Sequence, residues 1–285
     1  MASLAQLPPD RYDDPLARID WDAVDTDCWW LPPDALSLAG VPEFEALPAR
    51  MRRRVSHVEY AHLLQAGLWL ESVFMARLAT LAHQSDDVAS RTRYLHEVRE
   101  EAGHSLMFVE LLHRSGFSMR LEHGPALRAV DAIARLLPTG SAFFWALVVA
   151  GEELPDRLNR RLKRGIDDVT LSSVVYRMVQ IHTHDEAAHA AYARERCAQA
   201  AACAPGGVRA LLSPLLSLVI AVYTNYVYFP PGGAYACAGL SDPQSWRALA
   251  RRNPVRHAQV ADMQRPTLAF LRRCGWLLSS RYAAR

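Results

Sequence analysis

Cysteine is scarce in this 285-residue chain and badly placed for chemistry. The five thiols, Cys28, Cys197, Cys203, Cys237 and Cys274, are odd in number, scattered and without CxxC spacing. That argues against a disulfide framework, a thiolate metal site and an iron–sulfur centre. A Gly-rich dinucleotide fingerprint is missing, so electrons for any redox chemistry are expected from outside the chain. An excess of one charge is missing too: 32 Lys and Arg stand against 30 Asp and Glu, leaving no global field to draw nucleic acid or an anionic membrane. The opening MASLAQLPPDRYDD has no basic segment followed by an apolar one, so no export signal is expected and the reducing cytoplasm is the expected location. The one long apolar stretch, Leu211 to Phe229, is interrupted by Ser213, Pro214, Ser217, Thr224 and Asn225. It reads as a buried core helix, with no membrane span expected.

What the chain does have is apolar residues, 51% of the total, set at helical spacing. Residues 1–49 are rich in proline, aspartate and tryptophan, including Trp29, Trp30, Pro32 and Pro33, and read as an irregular arm that packs aromatics onto a body. Apolar residues then recur every three or four positions through 50–83, 87–115, 125–137, 141–164, 169–203, 207–229 and 254–278, broken at Gly116, Pro138-Thr139-Gly140 and Pro205-Gly206-Gly207. No strand-like alternation, low-complexity tract or short repeat competes. The expected fold is all-α: one domain with an arm (1–49), core helices (50–203) and C-terminal helices (204–285) covering a pocket. The tract Tyr226 to Gly233 reads as a helix stop and a loop.

Carboxylates inside an apolar stripe call for an explanation, because an amphipathic helix keeps charge off its core face. Glu71 stands among Leu64, Leu68, Met75 and Leu78. Glu101 and His104 share a face with Tyr94, Val98, Phe108 and Leu111. Val175, Met178, His182, Glu186, His189 and Ala193 form a third such stripe, carrying His-x-x-x-Glu-x-x-His. A fourth helix holds Glu152-Glu153. Glu152 continues the line of Val148 and Val149 towards Asp156 and Asn159, which favours it, while Glu153 leads to Arg157 and Arg160 and stays as the alternative.

Two Glu-x-x-His motifs on separate helices, with a lone inward Glu on each of two others, is the arrangement of ferritin-like carboxylate-bridged di-metal bundles. Four buried carboxylates would repel one another without a cation, and two metal ions would compensate them. Iron suits imidazole with bridging carboxylates, and manganese would also fit. Asp185 is a candidate acceptor for the outer N–H of a ligating histidine. Glu97 and Glu100 read as surface or outer groups, since Glu101 alone stands three residues before His104.

At LWLESVF, REEAGHSLMF, VVAGEELPD and IHTHDEAAHA, across residues 60–195, the chain resembles the p-aminobenzoate N-oxygenase family of di-iron proteins. The resemblance implies seven ligands: Glu71, Glu101, His104, Glu152, His182, Glu186 and His189. The third histidine, His182, is the most specific mark. His184 is its alternative, although position 182 shares a face with 186 and 189 while 184 is turned roughly 200° away. The doubled Glu152-Glu153 departs from the family pattern, as does a longer segment before His182.

The implied activity is O2-dependent oxidation of a small-molecule amine, free or carrier-tethered, to the hydroxylamine, nitroso or nitro level in secondary metabolism. It would use two irons and an external reductase or ferredoxin. A homodimer is open. Tyr223 and Tyr226 are candidates for the substrate pocket, with packed core aromatics as the plainer account. A carbon-directed di-iron hydroxylase or desaturase competes on the same fold, as does a non-enzymatic iron-storage or helical interaction protein.

Overall fold

Short connections and explicit caps dictate how the helices lie. The structure is a computed structural model that describes residues 13–117, 124–164 and 171–277. Among these residues lie the helices α1 (Pro42–Glu45), α2 (Ala49–Gln84), α3 (Val88–Ser115), α4 (Pro125–Leu136), α5 (Ala142–Arg164), α6 (Ser173–Cys203), α7 (Gly206–Tyr228), α8 (Gly232–Cys237), α9 (Pro243–Arg252) and α10 (Pro254–Arg273). The only bridge of extended backbone among them pairs Trp29 with Leu171. The fold is all-α and ferritin-like, as expected.

α2 gives way to α3 through Ser85 to Asp87, where the Asp87 carboxylate accepts from Ser90 N at 2.8 Å and satisfies an otherwise orphaned amide. So short a link turns α3 back along α2. Gly116, at φ 66°, ends α3 in the left-handed conformation that glycine adopts without strain. α5 and α6 form the second long pair, α3 also meets α6, and α7 and α10 pack on α5. Pro155 lies inside α5, so it offers no N–H to the Gly151 carbonyl one turn earlier. The α5 backbone is held there by Tyr228, whose hydroxyl donates to the Leu154 carbonyl.

The arm is more ordered than its composition suggests, with 3-10 turns at Pro15–Arg18, Trp21–Ala23 and Pro33–Ala35 preceding α1. Trp30 is fully buried against His57, Tyr60 and Phe117, at ring separations of 4.8, 6.3 and 5.8 Å. Glu59 accepts from Ser37 N at 2.9 Å and from the Ser37 hydroxyl at 2.5 Å. Arg256 donates to the Ala35 carbonyl at 2.8 Å and the Tyr228 carbonyl at 3.1 Å.

α7 stops at Tyr228 and Phe229 to Pro231 form the link that follows, inside the expected tract Tyr226 to Gly233; α8 and α9, which no periodic segment marked, come next. One expectation needs correction. α7 is only partly a core helix. Ser213, Leu216, Ile220 and Tyr223 are buried, but Val208, Leu211, Leu215 and Leu218 lie exposed along one stripe. It is the one helix among the described residues long and apolar enough to cross a membrane, by length and composition.

Candidate metal centre

The four long helices turn polar side chains inward onto one spot. Glu71 comes from α2, Glu101 and His104 from α3, Glu152 from α5, and His182, Glu186 and His189 from α6. All are at most 9% exposed. Spacings of three and four place those sharing a helix on one face. They sort into two groups of four donors: Glu71, His104, His182 and Glu186, and Glu101, Glu152, Glu186 and His189. The donor atoms within each group lie within 4.8 Å of one another. Glu186 belongs to both.

The inward nitrogens are well defined. His104 Nδ1 lies 3.1 Å from Glu101 and 3.4 Å from Glu186. His182 Nε2 lies 3.4 Å from Glu71 and 3.7 Å from Glu186. His189 Nδ1 is 3.2 Å from Glu101 and 3.7 Å from Glu186. Each outer nitrogen is held from behind: His104 Nε2 by Asp185 at 3.2 Å, His189 Nε2 by Glu100 at 2.8 Å, and His182 Nδ1 at the Asn159 amide, 3.0 Å away. Such contacts fix ring orientation and the nitrogen offered to a metal.

The alternatives separate cleanly in space. Glu153, also buried, forms an ion pair with Arg194 on α6 and accepts from the Thr267 hydroxyl at 2.6 Å, so its charge is already balanced outside the cluster. His184 is exposed. Glu97 is buried beside Arg93, 3.4 Å away. Sequence reasoning did not assign Asn159 a role, although it lies on the Glu152 stripe. Glu100 has a helical neighbour's offset from Glu101, so it reaches His189 from behind instead of joining the donor face.

The electrostatics are those of an anionic core in need of cations. Burial holds the Glu71 and Glu152 carboxyls well above the usual carboxylate range, with the nearby carboxylates Glu101 and Glu186 adding to the rise. Burial also opposes ionisation of Glu101, but the hydrogen bond from Glu71 and the charge of His189 outweigh it and its pKa falls well below normal. For His104, burial is outweighed by bonds to Asp185 and Glu101, lifting it to about 10. Burial and the charge of His104 depress His182 to about 4. Among the described residues, Glu71 Oε2, Glu101 Oε1, Glu152 Oε2 and His189 Nδ1 are buried without a hydrogen-bond partner; the last faces Glu101 closely but without hydrogen-bonding geometry. Four carboxylates carry the charge that two divalent cations would neutralise, and imidazole with carboxylate is a donor set for iron or manganese. The residues present fit a di-metal centre.

A cavity of about 70 Å³ opens against this cluster. Glu71, Glu152, His182 and Glu186 form its polar end, while Phe74, Phe108 and Val227 belong to its apolar wall. Since roughly 10–15 Å³ in this measure holds one water, there is space for a small organic molecule. Tyr223 lines the cavity. Tyr226 does not, and is corrected: one helical turn brings Val227, not Tyr226, under Tyr223, and the Tyr226 ring packs on His62 and Trp69 at 5.5 and 6.3 Å.

A ferritin-like bundle with four carboxylates and three imidazoles converging on two donor groups defines the class as a candidate carboxylate-bridged di-metal protein. Residues 1–275 match the family described as P-aminobenzoate N-oxygenase AurF, and the chain belongs to that family. It is also similar to the uncharacterized protein Mb0909 of Mycobacterium bovis and the uncharacterized protein Rv0885 of Mycobacterium tuberculosis. Each is 29% identical over 206 residues, covering 68% of this chain and 58% of the relative. The matched region thus spans less than two thirds of the length of those relatives.

Proposed function

We propose that this protein is a di-iron N-oxygenase acting on a small-molecule amine. Glu71, Glu101, His104, Glu152, His182, Glu186 and His189 hold the two irons, with Glu186 placed between both donor groups. The observation that carries the reading is His182, a third imidazole that faces the cluster and also lines the adjoining cavity. The irons, when bound, supply the activation of O2. The protein's own residues orient and exclude. Asp185, Asn159 and Glu100 hold the three imidazoles, while Phe74, Phe108 and Val227 keep bulk water from the cavity.

The first turnover converts an amine, O2, two electrons and two protons into a hydroxylamine and water, and repeated turnover leads to nitroso and nitro products. The electrons come from a separate reductase or ferredoxin in the cytoplasm. An apolar chamber beside the cluster is what a small-molecule oxygenase needs and an iron store does not.

The test has two arms. Protein purified from iron-supplemented growth is expected to carry about two irons per chain, the number the two donor groups accommodate; a count near zero sinks the proposal. The reduced iron protein mixed with O2 and an amine panel is expected to give N-oxidised products by mass spectrometry. Oxidation at carbon alone would assign it to the hydroxylases or desaturases instead.

A further inference from the structure

A second cavity, of about 60 Å³, lies between α2, α4, α5 and α7. It shares Leu70, Phe74, Gly151 and Tyr223 with the cavity at the metal cluster, so the two abut at one neck. Gly151 lets the walls of the neck approach closely: a Cβ there would stand 2.6 Å from the Phe74 ring and 3.3 Å from Leu70, so those side chains would have to move. The outer chamber is walled by hydrocarbon, including Val130, Ala134 and Ile220. Among the described residues no lysine lines either chamber, and Arg77 is the one arginine.

Arg77 is already committed. Its guanidinium donates to the Arg135 carbonyl at 2.6 Å and to the Leu137 carbonyl, closing the end of α4, and lies 5.5 Å over the Phe144 ring. Among the described residues its Nε–H has no partner and can serve one acceptor. A carboxylate there would have to break the α4 contacts to gain the paired N–H donors it needs.

Building on the di-iron reading, we propose that the two chambers take a single elongated amine, its nitrogen at the cluster and an uncharged hydrocarbon tail in the outer chamber. The substrate class is therefore a hydrophobic aryl or alkyl amine without a terminal carboxylate, and p-aminobenzoate itself fits poorly. Ala134 on α4 helps set the tail length.

The experiment is calorimetric binding to the anaerobic ferrous protein of three probes: aniline, 4-butylaniline and p-aminobenzoate. 4-Butylaniline is expected to bind at least about tenfold tighter than aniline, the gain from burying several methylenes, and p-aminobenzoate more weakly than either. In Ala134→Leu and the bulkier Ala134→Phe, binding of 4-butylaniline should fall in steps, with aniline affinity and iron content unchanged; the milder change keeps the test alive where the larger one does not fold. p-Aminobenzoate binding as tightly as 4-butylaniline, no binding of any probe, or equal loss of both neutral amines would overturn the assignment. The expected binding order with no oxidised nitrogen after O2 is admitted would support the chambers and overturn the N-oxygenase reading.

Discussion

Neighbouring glutamates do opposite work on α5, and substitution should separate them. Glu152 points into the cluster with a buried oxygen that has no partner among the described residues, so Glu152→Gln is expected to lower iron content while leaving the fold largely intact, because removing one charge relieves a crowded site. Glu153 balances Arg194 and accepts from Thr267. Glu153→Gln should keep both irons yet cost roughly 1.5–3 kcal/mol of stability, the usual worth of a hydrogen bond to a charged group. Metal analysis and urea denaturation read the two effects; iron loss in Glu153→Gln with none in Glu152→Gln would reverse the assignment. His182→Ala and His184→Ala offer the same contrast on α6. The first should lose occupancy of one iron position and change the iron absorption spectrum, and the second should change neither, since His184 faces solvent. The inward choice of Glu152 and His182 was legible because helical spacing places side chains by angle. The backing residues were less legible, since Glu100 and Asn159 act through contacts with another helix, which no periodicity within their own can reveal.

The elements were readable to the extent that they were long. From α2 to α7 and at α10, the periodic segments locate the helices to within a few residues, because a sustained apolar stripe and a defined break are both local properties. α1, α8 and α9 span too few turns to show a stripe, and the arm's turns are single local ones, capped by Asp14 and Asp20 or opened by a proline, which leave no period to read. The arm is tied down by Arg256, which is 2% exposed and donates to carbonyls on the arm and at the end of α7. Its companion Asn253 donates to the Ser37 and Ala39 carbonyls at 2.9 Å each. Arg256→Ala would orphan two buried carbonyls and leave the Glu59 carboxyl without its nearby positive charge. The expected loss is about 3 kcal/mol, in the range for breaking a buried charged contact, with earlier proteolysis within the arm than in α3. Arg256→Lys should restore only part of it, since one ammonium does not reproduce the guanidinium's separated donors. Unchanged stability in Arg256→Ala would mean that the arm is anchored by its tryptophans alone.

For the whole molecule, the buried histidines away from the cluster set a limit on the acid side. His57, its ring tilted against Trp30, meets the Cys28 carbonyl at 2.8 Å through Nε2, and His62 meets the Tyr226 carbonyl at 2.8 Å. Burial lowers both pKa values below the ordinary 6.5, against the smaller opposing pull of those carbonyls. A depressed folded-state value means that the unfolded chain takes up protons first. The stabilisation is complete above about pH 6.5 and is lost as pH falls from there through the folded values, at up to about 1.4 kcal/mol per pH unit for each histidine. Glu59 has the opposite sign, because burial raises its carboxyl above 4.5 and its contribution declines as pH rises. Comparing variants isolates the histidine effect. His62→Gln retains a donor for the Tyr226 carbonyl but cannot titrate, so urea denaturation of the iron-loaded protein from pH 5 to 8 should show a shallower acid slope than the unsubstituted chain, with the two curves parallel above pH 7. Parallel curves throughout would show that His62 keeps its ordinary proton affinity in the fold and that acid sensitivity arises elsewhere.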